Sequence, residues 1–150
     1  MTVETGTQPV EFEVPARVEY VGLLRMLVSS LASDRRVLDD EQLADLSLAV
    51  SEACNLLVDH RGGTDRRLAV TCREEPDALI LEVHGAGTGR GLDPGGWAGL
   101  PPPELVGEDP RVGFELIRAL IDEVGIVDDE GVEKLRLRLV CGEAPPPGAG

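Results

Sequence analysis

A carboxylate and a carboxamide stand three residues apart at Glu52 and Asn55, inside the otherwise apolar run of residues 46–60. At i and i+3 of a helix their side chains leave on one face, within reach of a single Mg²⁺-bound phosphate and the nucleophile attacking it. Burying such a pair beside a leucine stripe costs a few kcal/mol unless both groups are hydrogen-bonded. In most amphipathic helices a Glu and an Asn simply face water, so this pair needs company before it reads as a site.

Two further segments could supply that company. In Leu79-Ile80-Leu81-Glu82-Val83-His84-Gly85-Ala86-Gly87-Thr88-Gly89 an apolar run enters alternating glycines. That pattern lets backbone approach a ligand closely and lets successive N–H groups cradle anionic oxygens. In Asp109-Pro110-Arg111-Val112-Gly113-Phe114 an N-cap and a first-turn proline open a helix. The free N–H groups and positive dipole end of that helix suit an anion, and Arg111 could add a guanidinium. Taken singly, each segment also reads as an ordinary connector or a capped helix.

The elements that would position these groups follow from hydrophobic spacing. Residues 10–14 alternate as a strand, and Pro15-Ala16-Arg17 open a helix with Val21, Leu24, Met26, Leu27 and Leu31 at helical period, closed by Asp34-Arg35-Arg36. Asp39 with Gln42 reads as an N-cap with its reciprocal partner. Leu43, Leu46, Val50, Ala53 and Leu57 then form the core stripe of a second helix, with Asp45, Glu52, Asn55 and Asp59 on another side. Leu68, Val70, Cys72 and Leu79, Leu81, Val83 predict a hairpin turning near Glu75-Pro76-Asp77. After a Gly- and Pro-rich stretch, Phe114, Ile117, Leu120, Ile121 and Val124 predict a third helix. A last hairpin, 125–128 with 132–140, turns at Asp129-Glu130-Gly131.

The order strand, helix, helix, hairpin, long connection, helix, hairpin predicts an α+β fold. It is a two-layer α/β sandwich whose mostly antiparallel sheet carries its helices on one face. The other face is expected to be partly wet, as Glu133, Arg136 and Arg138 suggest. The organisation expected is a flexible N-terminus at 1–8, one domain at 9–141 with a lid at about 88–110, and a disordered tail at 142–150.

A formal net charge of −14 argues against a nucleic-acid partner, since phosphates would be repelled, and favours a protein partner. No apolar run approaches the roughly 20 residues needed to cross a bilayer, and the N-terminus has no signal-peptide pattern, so a cytoplasmic protein is expected. Cys54, Cys72 and Cys141 are odd in number and share no C-x-x-C spacing. They predict buried thiols rather than a disulfide framework or a zinc site.

The arrangement of Glu-x-x-Asn on a helix, a strand ending in Gly-x-Gly, a lid, and a glycine at a helix start resembles the ATP-binding fold shared by histidine kinases, gyrase and Hsp90. More narrowly it resembles the bacterial anti-sigma factor and serine-protein kinase branch, best in residues 48–55 with His60 and in residues 113–124. The resemblance implies ATP and Mg²⁺ as cofactors and a protein serine/threonine kinase activity. In it, Glu52 is the catalytic base or orienter of a serine hydroxyl, and Asn55 is the metal-side ligand. Gly85, Gly87, Gly89, Arg111 and Gly113 line the nucleotide. It further implies transcriptional control through a sigma factor or its antagonist, and a homodimer. Gly85 stands where that family carries an adenine-binding aspartate, and Arg111-Val112 stand where it usually has a further glycine. The alternative is therefore a degenerate, non-catalytic protein-binding module that no longer binds ATP.

Overall fold

The computed structural model describes residues 9–61, 66–87, 110–130 and 132–143. In chain order these form β1 (Val10–Pro15), α1 (Val18–Arg35), β2 (Arg36–Val37), α2 (Asp40–Arg61), β3 (Arg66–Glu75) and β4 (Ala78–Gly87). They continue with α3 (Pro110–Leu120), β5 (Glu123–Asp129), β6 (Val132–Val140) and β7 (Gly142–Glu143). The main sheet has the order β1-β3-β4-β6-β5, and every neighbouring pair in it is antiparallel. This is the expected α+β sandwich.

Alternation along the strands divides the sheet's two faces. Val14, Leu68, Val70, Cys72, Leu79, Leu81, Val83, Leu135, Leu137 and Leu139 point to one face and join a single core with Val21, Leu24, Val28, Leu46, Val50, Ala53, Leu57 and Ile117 from the helices. Strand residues one position away point outward, because side chains alternate with period two. The outer face is not simply wet. Ile80 and Glu82 are buried there, because the guanidiniums of Arg73 and Arg136 fold over them onto Glu82 Oε2 at 3.1 and 2.7 Å. Arg138 likewise reaches Glu75, Asp77 and Glu123 at 3.0–3.1 Å. Arg136 and Arg138 thus lie on the outer face as expected. Glu133, an odd position opposite Asp128, falls on the helix side instead.

Local signals set the helix limits. Asp39 Oδ1 accepts from the Gln42 N–H at 2.7 Å and Gln42 Oε1 accepts from the Asp39 N–H at 3.2 Å, the reciprocal cap its spacing predicts. Met26, expected among the core positions of α1, is 58% exposed, because it lies about 200° around the helix from Leu24. Val124 belongs not to α3 but to β5, opposite Leu137. The helix ends at Leu120, and Val124 still packs against the core from the strand.

A second, two-stranded sheet pairs β2 with β7. It holds residues 142–143 against the end of α1. Beside it the buried Arg36 donates through its guanidinium to the carbonyls of Glu75 and Pro76. Its Nε lies 3.2 Å from Glu74 Oε1, without hydrogen-bond alignment.

Candidate functional site

α2 packs against α1 on one flank and α3 on the other, over β3 and β4. The α1 flank is marked by Ser47, whose hydroxyl meets that of Ser29 at 2.7 Å. At about 100° per residue, Glu52 lies roughly 140° around α2 from Ser47, on the flank facing α3. By the same step Asn55 lies only roughly 80° from Ser47, turned back toward the outer surface. Glu52 and Asn55 are both half-buried. Among the described residues neither has a hydrogen-bond partner.

Leu56, four residues beyond Glu52 and 8% exposed, continues the α3-facing column more closely than Asn55 does. Asp45 precedes Glu52 on the same flank. The i, i+3 spacing alone does not reveal this offset. Counting helical angles from Ser47 does, but only once Ser47 is known to face α1.

The glycines of β4 share the helix-facing parity of Leu79, Leu81 and Val83, with Gly85 opposite Leu68 and Gly87 opposite Arg66. A Cβ built on Gly85 would meet nothing nearer than the Arg67 carbonyl oxygen at 3.9 Å. The position therefore has ordinary room for a side chain and simply carries none. His84 alternates to the outer face, where its Nδ1 lies 3.2 Å from the Gly85 oxygen. Its Nε2 is buried and lacks a partner among the described residues. It does not replace a side chain at Gly85.

Arg111 and Gly113 fall in the first turn of α3, which contains no acidic residue, so the positive end of that helix is uncompensated there. The side chain of Arg111, together with Gly89 and the lid expected at about 88–110 as far as residue 109, lies outside the described residues. α2 is the common neighbour of β4 and α3, and so joins the three elements that carry the expected site.

Among the described residues no three His, Cys, Asp or Glu side chains cluster as a metal cage. The donors present suit a Mg²⁺ held mainly by phosphate oxygens and water with one or two protein oxygens, the usual pattern for that ion. Cys54, buried on the α1-facing side of α2, is no nucleophile: burial pushes its thiol up to about 12.

The chain is similar to known proteins along most of its length. Residues 14–139 match the family described as histidine kinase-like ATPase domain. The serine-protein kinase RsbW of Bacillus subtilis is 32% identical over 140 residues, covering 89% of this chain and 87% of its own. The RsbW of Listeria innocua is 33% identical over 139 residues, covering 87% of each. A crystal structure of the RsbU and RsbW domains of a Mycobacterium tuberculosis protein superposes with a TM-score of 0.58 at 18% identity. That match covers 93% of this chain and 34% of the other, and it shows the shared fold. Matched along residues 14–139 and about a third identical to these RsbW proteins over most of its length, the chain belongs to the histidine kinase-like ATPase domain family, in the branch of the RsbW serine-protein kinases.

Proposed function

We propose that this protein is an anti-sigma-factor-like regulator that binds Mg-ATP between α2, β4 and the tip of α3. It would transfer the terminal phosphate to a serine of a protein antagonist, and so control a sigma factor. The observation that carries this reading is the convergence on α2 of a half-buried Glu52, without a hydrogen-bond partner among the described residues, with the helix-facing glycines of β4 and the start of α3, whose first turn holds no acidic residue. Relatives named serine-protein kinases, about a third identical over most of the chain, support it.

In this reading Glu52 orients the serine hydroxyl and accepts its proton. The α3 start and Arg111 hold phosphate oxygens, and Gly87 and Gly89 let backbone lie against the nucleotide. Asn55 would offer its carboxamide oxygen to Mg²⁺ from the rim of the site. The ion, when bound, neutralises charge on the phosphates. Phosphoryl transfer is mostly positioning and charge stabilisation, so a small set of side chains suffices. Gly85 offers no acceptor to the adenine amino group, so affinity is set by backbone and phosphate contacts. A homodimeric state and a cytoplasmic location belong to the same proposal.

The test is co-purification of the partner followed by phosphate transfer from labelled Mg-ATP. Transfer to a serine of that partner, lost in Glu52→Gln with partner binding kept, is the expected result. Partner binding without nucleotide binding up to several millimolar would leave only the binding module.

A further inference from the structure

The described sheet ends at β5, which pairs with β6 alone. Every second residue of β5 therefore turns its backbone N–H and C=O away from any described neighbour. Such edges are usually blunted by a proline, a bulge or a charge in mid-strand. β1, at the other edge, follows that rule: Pro15 brings no N–H, and Glu11 and Glu13 accept from Thr71 and Arg67 at 3.2 and 2.7 Å. β5 reads Glu-Val-Gly-Ile-Val-Asp-Asp. Its middle, Val124 to Val127, is uncharged, and Ile126 is 46% exposed.

Gly125 adds a hollow to this edge. It stands opposite Arg136 on the outer face, and a Cβ built on it would meet nothing within 4 Å. The open space there, about 290 Å³, is lined by Ile80, Glu123, Gly125, Val127, Arg136 and Arg138 among others. Arg136 is fixed through Nε and Nη2 on Glu82 Oε2 at 2.9 and 2.7 Å, yet its side chain stays 42% exposed. A fixed, exposed guanidinium suits the face of an aromatic ring. A ring from a neighbouring strand, packed over an edge glycine, also makes good the packing that the glycine lacks.

Charge sets the ends of the occupant. β5 carries three carboxylates and no basic residue, with Asp122 before it and Glu130 after it. Of the cations beside it on β6, Arg136 is committed to Glu82, Arg138 to Glu75, Asp77 and Glu123, and Lys134 is engaged as well. A second copy is a poor occupant. Antiparallel pairing about Ile126 sets Glu123 of each copy against Asp129 of the other, and parallel pairing in register sets each acid against itself.

We propose that β5 is a docking edge for an extended segment of a protein partner. The segment adds one strand to the sheet, lays an aromatic side chain over Gly125 onto Arg136, and carries Lys or Arg at both ends to meet the acidic ends of β5. Backbone hydrogen bonds supply the affinity and the hollow selects the side chain. The edge is separate from the nucleotide site of the proposed function, because β6 lies between β5 and β4.

The test uses the full chain, isotopically labelled, with a synthetic peptide of roughly nine residues, enough to span a strand of this length. The peptide has Lys at both ends, alternating Val and Thr between them, and one central Tyr. One counterpart replaces Tyr by Ala, and another replaces Lys by Glu. The expected result is saturable amide shifts confined to β5 and the facing part of β6, with slower hydrogen exchange of the outward β5 amides. The Ala peptide should bind about tenfold more weakly, as loss of a central anchor does, and the Glu peptide should not bind. Gly125→Leu fills the hollow at a position with room for a side chain, so the Tyr and Ala peptides should bind it within about twofold of each other. Gly125→Val, β-branched and suited to a strand, takes its place if a thermal melt shows the Leu variant unfolded.

The proposal is overturned by shifts that leave β5 untouched, by no saturable shift at millimolar peptide, or by Tyr and Ala peptides that bind the parent equally. Tight binding of the Glu peptide overturns it too, as does a filled-hollow variant that still prefers Tyr about tenfold. So do β5 amides already protected by self-association and exposed on dilution, which would make a second copy the occupant. A lost Mg-ATP isotherm with peptide binding intact would count against the proposed function and not against this edge.

Discussion

Replacing Gly85 by Asp should raise affinity for Mg-ATP. Gly85 sits on the helix-facing side of β4, opposite Leu68 and two residues beyond the buried Val83. A side chain there leaves the strand toward the layer under α2. The nearest atom to its Cβ would be the Arg67 carbonyl oxygen at 3.9 Å, an ordinary van der Waals distance, and the backbone at Gly85 is not in the left-handed region. The substitution is therefore expected to be accommodated without rearrangement. A carboxylate placed beside adenine gains one charge-assisted hydrogen bond in a partly desolvated site, worth about 1–3 kcal/mol. That corresponds to a dissociation constant roughly ten- to hundredfold lower. Isothermal titration of parent and variant with Mg-ATP measures it, and Mg-GTP, whose ring has no amino group at the adenine position, should gain nothing. An unchanged ATP isotherm in a folded Gly85→Asp protein, or equal gains for both nucleotides, would refute the placement of Gly85 beside the base.

Arg36→Met should destabilise the fold by about 2–4 kcal/mol, read from the midpoint of urea unfolding, because it strips a buried guanidinium from the carbonyls of Glu75 and Pro76 and from Glu74; a change below 0.5 kcal/mol would contradict the clamp role. Glu130 occupies the left-handed region at φ 53° in the two-residue β5–β6 turn, so Glu130→Gly should stabilise by about 1 kcal/mol, seen as a raised melting temperature. Burial pushes the Cys54 and Cys72 thiols up to about 12. Unfolded thiols ionise near the usual 8.5 while the folded ones stay protonated, so stability should fall as pH rises from about 9 toward 12. The same burial predicts that a thiol reagent at pH 8 labels Cys54 and Cys72 only after denaturation.

Much of the fold could be read from periodicity. The strand alternations at Leu68-Val70-Cys72 and Leu79-Leu81-Val83 mark one buried face, and the Asp39–Gln42 cap marks the start of α2. What escaped was covered by long side chains or made by very short pairings. Ile80 and Glu82 read as outward positions, yet arginine stems bury them. Arg36 reads as a helix-closing charge, yet it is held inside by carbonyls 40 residues away in sequence. Pairing of only two residues, as in β2 and β7, leaves no periodic signal. At the site, residue types were legible but not their angular order. Glu52 and Asn55 are near neighbours along α2, yet the flank that α1 occupies decides that Glu52 faces α3 while Asn55 turns toward the surface.

In the proposed function α2, β4 and the tip of α3 enclose one nucleotide site. Titrating the isotopically labelled chain with Mg-ATP and following backbone amides tests it most directly. The expected result is shifts grouped at residues 52–56, 83–87 and 111–114 that saturate together with a single dissociation constant. Saturable shifts on the outer sheet face around Arg73 and Arg136, or no shifts at millimolar nucleotide, would contradict it.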